Sequence, residues 1–150
     1  MTTYVSSLHV DVPPEAAFSQ VFELMMKNVG GSPEPGTPTD GLGAAFRYGF
    51  GLLGWRAEGT CTITEYVPSD TLTLQWHGPE RATVGSLRGV WTFVPEDAGT
   101  AITVRSYFEP RIPILHTLGS RLMMFGFRRS EFPAMKAEME RRFQGVQSAS

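Results

Sequence analysis

Gly49, Gly51 and Gly54, in the stretch "GFGLLGW", stand at the G-x-G-x-x-G spacing that lets a tight turn bring a pyrophosphate to a helix N-terminus. That chemistry needs a strand before the glycines and a helix after them. The next residues, "WRAEGTCTITEYV", are alternating and β-branched, so a second strand is expected and the glycines are read as a hairpin bend. No cofactor is expected. The three histidines, His9, His77 and His116, show no His-x-x-x-His spacing, and the single cysteine, Cys61, has no sequence neighbour to make a paired-thiolate site, so no metal is expected. Acid–base chemistry would fall to Glu65, Tyr48 and Ser106, the polar residues that strand parity points inward along with Cys61. Glu65 lies near a strand end and reads as a rim carboxylate. Cys61 has no basic neighbour to lower its pKa and reads as a small buried residue.

These residues are positioned mainly by strands. Tyr4, Leu8, Val10 and Val12 share one parity, and Pro13-Pro14-Glu15 then opens a helix whose apolar face runs from Ala17 to Val29. Gly30-Gly31 ends it, and "SPEPGTPTD" is a loop. From Gly41 the grammar is strand and turn, with "PSD" a turn and "PEDAGT" a hairpin whose glycine takes the left-handed position. Parity sends Arg47, Arg56, Glu58, Arg88 and Arg105, with His9 and His77, to a solvated face. It sends Phe46, Tyr48, Phe50, Cys61, Ile63, Leu74, Trp76, Leu87, Trp91, Phe93, Val104, Ser106 and Phe108 to the other. The C-terminal segment is helical: Leu118, Leu122, Phe125, Phe132, Met135, Met139 and Phe143 fit one broad face. Pro133 should kink or divide that helix, with Ser130 capping a second piece.

One hundred and fifty residues, 41% of them hydrophobic, suit a single domain spanning 1–150. A net charge of −2 argues against a chain that coats nucleic acid. No run approaches a membrane span, and the first residues carry no signal-peptide pattern, so the expected compartment is the cytoplasm.

The order strand, helix, loop, about five strands, long helix resembles the SRPBCC superfamily, which includes START, Bet v 1-like and polyketide cyclase/dehydrase proteins. The resembling stretches are "VDVPPEAAF", "GLGAAFRY", "TITEYVPSDTLTLQW", "GVWTFVPEDAGTAITVRSYFE" and "FRRSEFPAMKAEMERRF". The loop "GGSPEPGTPTD" lacks the tryptophan common in related subgroups, so the co-chaperone-like subgroup fits poorly. The resemblance implies an α+β helix-grip fold. A curved antiparallel sheet of six to seven strands would wrap a long C-terminal helix, with a short helical segment between strands 1 and 2.

Such a fold leaves a cavity between sheet and helix. The inward-facing strand residues would line it, joined by Leu122, Met123, Met124, Phe125 and Phe127. An aromatic wall with few polar groups suits a hydrophobic small molecule: a lipid, polyketide or aromatic metabolite. The alternative is an aromatase/cyclase-type enzyme using the same cavity, with Glu65, Tyr48 or Ser106 taking part. A third reading is a homodimeric interaction module with a filled core. The apolar hairpin tip at Phe50, Leu52, Leu53 and Trp55, and the soft stretch "RLMMFGF", would serve as a lid, a dimer contact or a membrane-touching edge.

Overall fold

Alternation dominates the middle of the chain, and the backbone obeys it. The computed structural model describes residues 2–52, 55–78, 84–110 and 113–149. Strand β1 (Thr2–Val10) leads into two short helices, α1 (Pro14–Phe18) and α2 (Val21–Asn28). Then come β2 (Ser32–Pro33), β3 (Ala45–Leu52), β4 (Trp55–Val67), β5 (Thr71–His77), β6 (Val84–Glu96) and β7 (Gly99–Pro110). They form one antiparallel sheet in the order β1-β7-β6-β5-β4-β3-β2. The chain closes with α3 (Pro113–Gly126), a π-helical segment (Phe127–Glu131) and α4 (Phe132–Ala149). This is the α+β helix-grip architecture.

The expected first helix is broken in two. Ser19 Oγ and Gln20 Nε2 both donate to the carbonyl of Ala16, at 3.1 and 2.7 Å. Local side-chain bonds of this kind compete with the helical ladder, and the chain turns before α2 resumes. Phe18 closes this end of the sheet, with its ring 5.2 Å from Phe93 and 5.1 Å from Tyr66.

After the G-x-G-x-x-G stretch the chain returns as β4, with Leu52 opposite Trp55. No helix opens there, so the stretch lacks the strand-to-helix setting of a pyrophosphate turn. Leu53 and Gly54 lie outside the described residues. At the β6–β7 hairpin the left-handed positions are Asp97 (φ 46°) and Ala98 (φ 63°), not the glycine. Gly99 is needed for another reason: a Cβ there would stand 2.2 Å from the carbonyl oxygen of Val10.

Among the described strands β1 pairs only with β7, and an uncovered strand edge invites pairing with another chain. Here the C-terminal helix caps it. Arg128 Nη2 donates to the Val5 carbonyl at 2.8 Å, and Lys136 Nζ to the His9 carbonyl at 2.8 Å. Glu140 Oε2 accepts from the Asp11 amide at 2.8 Å.

At Pro133 the helix does not stop, and the expected division takes the form of the π-helical segment that separates α3 from α4. A proline in a helix interior lacks the N–H for its i−4 carbonyl and crowds that carbonyl. The chain answers with the π-helical turn immediately upstream, which holds an extra residue and loosens the ladder where the proline needs room. Ser130 sits inside that turn, where no side-chain cap is made.

Candidate functional site

The concave face of the sheet is built as parity predicted, row by row. Tyr4 lies opposite Ser106, Gly89 opposite both Ser106 and Leu74, and Phe46 opposite Cys61. Phe46, Cys61, Ile63, Leu74, Trp91, Phe93, Val104, Ser106 and Phe108 are all buried. Tyr48, Trp76 and Leu87 occupy the same face but stay half-buried. These three cluster toward the end of the sheet that bears the β3–β4 hairpin and the β7–α3 junction. Their ring contacts are edge-on, with Tyr48 to Trp76 at 5.3 Å and Phe46 to Trp76 at 5.5 Å. Gly59, opposite Tyr48, makes room for the phenol, because a Cβ there would meet its ring at 2.5 Å. The side chain of Phe50 falls outside the described residues, as do those of Leu52, Leu53, Trp55, Arg56 and His116.

The helix contributes Ser120, Met124 and Phe127, all buried and spaced i, i+4, i+7. Phe127 stacks on Phe132 at 4.9 Å, and both rings meet Trp91 edge-on at 6.0 and 5.7 Å. These three rings fill the middle of the sheet–helix interface. Leu122, Met123 and Phe125, expected inside, are exposed. At Leu122 and Phe125 the physical reason is the π turn; Met123 lies opposite Phe132 by helical spacing alone. Counting back from Met139, Met135 and Phe132 at helical spacing puts Phe125 and Leu118 inside. One extra residue in the turn shifts the inward face by one position, to Phe127, Met124 and Ser120.

Glu65 needs the same kind of correction. The β4–β5 register shifts between Ile63 and Glu65, so one extra residue moves the carboxylate to the convex face. There it is exposed and accepts from Thr73 Oγ1 at 2.9 Å. Tyr66, not Glu65, takes the next inward position, with its ring against Phe18.

What remains on the concave face is sparsely polar. Among the described strand residues it carries no carboxylate, imidazole or amine. Burial, with a lesser contribution from Cys61, pushes the Tyr48 hydroxyl up to about 12, so it stays protonated; it lies 3.5 Å from the His77 carbonyl, to which it donates. Burial likewise raises the Cys61 thiol far above its ordinary range, which leaves it unreactive. Tyr4 Oη and Ser120 Oγ are 3.1 Å apart. Ser106 is buried beside them, and its Oγ has no hydrogen-bond partner among the described residues. The concave face can therefore hold apolar matter and offer hydroxyls. Among the described residues no metal-holding group of His, Cys, Asp and Glu exists.

The convex face carries the charge. Arg47 pairs with Glu34, and Arg88 lies 4.7 Å over the Tyr107 ring. His77 is exposed there, and His9 contacts Asp11 and Glu96 at 3.1 and 3.2 Å. A separate surface cavity of about 290 Å³ lies between α2 and the β2–β3 segment, floored by Phe22, Met26, Pro33 and Ala45. Sequence reasoning did not single it out, because its walls come from a loop without periodicity.

No family model matches the chain, and no curated protein sequence does. Solved structures do. Ara h 8.0201 aligns with 17% identity over 92% of this chain and 97% of its own, with a TM-score of 0.67. Protein CV1439 from Chromobacterium violaceum aligns with 15% identity over 92% and 96%, with a TM-score of 0.63. The di-domain ARO/CYC StfQ from the steffimycin biosynthetic pathway aligns with 12% identity and a TM-score of 0.69. That match covers 95% of this chain and 51% of StfQ. At such identities the likeness is one of fold, and the fold is the helix grip that the sequence resemblance implies.

Proposed function

We propose that the protein binds a hydrophobic small molecule between the half-open end of the concave face and the N-terminal half of the C-terminal helix. The observation that carries this is the unequal packing of one continuous apolar face. Phe18 and the Trp91, Phe127 and Phe132 rings fill its closed end and middle, while Tyr48, Trp76 and Leu87 stay half-buried at the other end. Phe46, Cys61, Leu74, Val104 and Phe108 would form the floor, and Met124 the helix side. Ser106, buried without a partner among the described residues, would offer a hydroxyl to one polar atom of the ligand.

A ligand burying roughly 300 Å² of apolar surface gains about 7 kcal/mol before association costs, so apolar burial alone supports binding no tighter than about 10 μM. With Glu65 on the convex face and Tyr48 held as a neutral phenol, the residues support binding over acid–base turnover. The likeness to StfQ is one of fold and adds no catalytic group.

Native mass spectrometry after incubation with lipid and metabolite extracts tests this. A discrete adduct is expected, and it should be lost in Leu87→Trp, which fills the open end without touching the packed middle. A bare mass, or an adduct indifferent to Leu87→Trp, would sink the proposal.

A further inference from the structure

The face of α3 turned away from the sheet is as apolar as the one turned toward it. Leu118, Leu122 and Phe125 succeed one another at i, i+4, i+7 and are 60, 64 and 60% exposed. Large side chains in a row on a helix surface need an occupant, since isolated exposed leucines are ordinary but a contiguous stripe is not. The stripe continues at Arg129, whose guanidinium lies 5.6 Å from the Phe125 ring centroid. Arg121, one turn before Phe125, is exposed on the flank. Neither arginine has a carboxylate partner among the described residues.

Charge is segregated to match. Residues 111–130 contain four arginines, Arg111, Arg121, Arg128 and Arg129, and no acidic residue. All fifteen acids of the chain lie elsewhere, against nine basic residues. This otherwise acidic protein thus has its largest cationic run here, and that run holds the exposed apolar stripe.

We propose that this face of α3 docks on an anionic lipid surface. A bilayer interface offers both things the stripe lacks: an apolar layer within a side chain's reach, and anionic headgroups at the level of the flanking guanidinium groups. A second copy packed face to face would set Arg121 and Arg129 against their own counterparts. Nucleic acid would answer the charge but leave the leucines uncovered. The docking is peripheral, since no described helix is long and apolar enough to cross a membrane. It stands apart from the proposed cavity, because Leu118, Leu122 and Phe125 face away from it.

Co-sedimentation with vesicles tests it. The protein should bind vesicles of phosphatidylcholine mixed with phosphatidylglycerol, not phosphatidylcholine alone, and added salt should weaken binding. Leu122→Ser with Phe125→Ser should abolish binding with the circular-dichroism melt retained, as expected for exposed positions. Arg121→Gln with Arg129→Gln should lower the partition coefficient by about tenfold or more. No binding to the mixed vesicles, or full binding by the Leu122→Ser, Phe125→Ser variant, would overturn the proposal. So would a dimer in sedimentation velocity that the same pair of substitutions disperses without any vesicle binding; that outcome would assign the stripe to a second copy.

Discussion

The two halves of the C-terminal helix carry similar apolar residues and do different work. α4 buries Phe132, Met135 and Met139 and ties its polar side down: Lys136 to β1, Glu140 to the Asp11 amide just after it, and Arg142 to Glu23 of α2 at 3.1 Å. α3 buries only Ser120 and Met124 among its described side chains and leaves a comparable apolar stripe in solvent. Their apolar residue types alone do not separate them. The difference comes from phase and from partners: one π turn decides which residues face the sheet, and α4 carries charged side chains that reach neighbouring elements, where α3 reaches β1 through the Ser120 hydroxyl at Tyr4. Fixed packing belongs to the half that holds the grip, and free apolar surface to the half beside the proposed ligand end.

The contrast breaks most sharply in stability. Trp91 is enclosed by Phe127 and Phe132 at the junction, so Trp91→Ala should cost about 3–5 kcal/mol in denaturant unfolding. Leu122→Ser, at an exposed site on α3, should stay within about 0.5 kcal/mol of the parent. Equal losses at the two positions would mean that the outer stripe of α3 is packed against something in the folded protein.

Deleting Ser130 tests the phase argument itself. Removing the extra residue should let the turn close to regular α-helix with Phe127, Met124 and Ser120 still inward, whereas a π turn that persisted would rotate α3 by about 100° relative to α4. A cysteine introduced at position 122 should therefore label as quickly after the deletion as in the parent background, with buried Cys61 a silent reference. Slowed labelling would show that the π turn does not owe its width to one extra residue.

Much of the fold was legible because strand parity is a strict code with long runs to read. It placed the inner wall from Phe46 to Phe108 and the solvated Arg47, Arg88 and Arg105. The misses at Glu65 and at Leu122 and Phe125 have a common cause. A period fixes faces only as long as no residue is inserted, and both regions contain one extra residue: a bulge between Ile63 and Glu65, and the π turn before Pro133. Pro133 is the visible cue for the second, and it signals a phase shift where a break is the simpler reading. The bulge has no comparable marker in "ITEY". Gly99 escapes sequence reading for a different reason, since the demand on it comes from Val10, far away in sequence. The half-open end of the wall was not legible at all, because burial of Tyr48, Trp76 and Leu87 depends on what the rest of the chain brings over them.

A smaller effect sharpens the account of α4. Lys136 Nζ donates to both the His9 carbonyl and Glu140, at 2.8 and 2.9 Å. Lys136→Met should cost about 1 kcal/mol, the scale of a partly exposed charged hydrogen bond. It should also speed hydrogen exchange along β1 more than along β5, because only the edge strand loses its cover.

The smallest expected effect is a pH dependence confined to α4. Hydrogen bonds from Arg141 and then Arg142 hold the Glu138 carboxyl down from 4.5 to about 2. A carboxyl whose pKa is depressed on folding stabilises the native state above its ordinary value, and that contribution fades as pH falls toward the folded-state pKa. The window is therefore pH 4.5 down to about 2. Glu138→Gln should flatten the fall of the melting temperature across that window and leave it nearly unchanged at neutral pH, since the group is solvent-screened. α3 has no acidic residue to titrate, so its amides should exchange independently of this step while those of α4 loosen. If both halves loosened together in the parent and neither did in Glu138→Gln, the two helices would be one cooperative unit, and the division at the π turn would be geometric only.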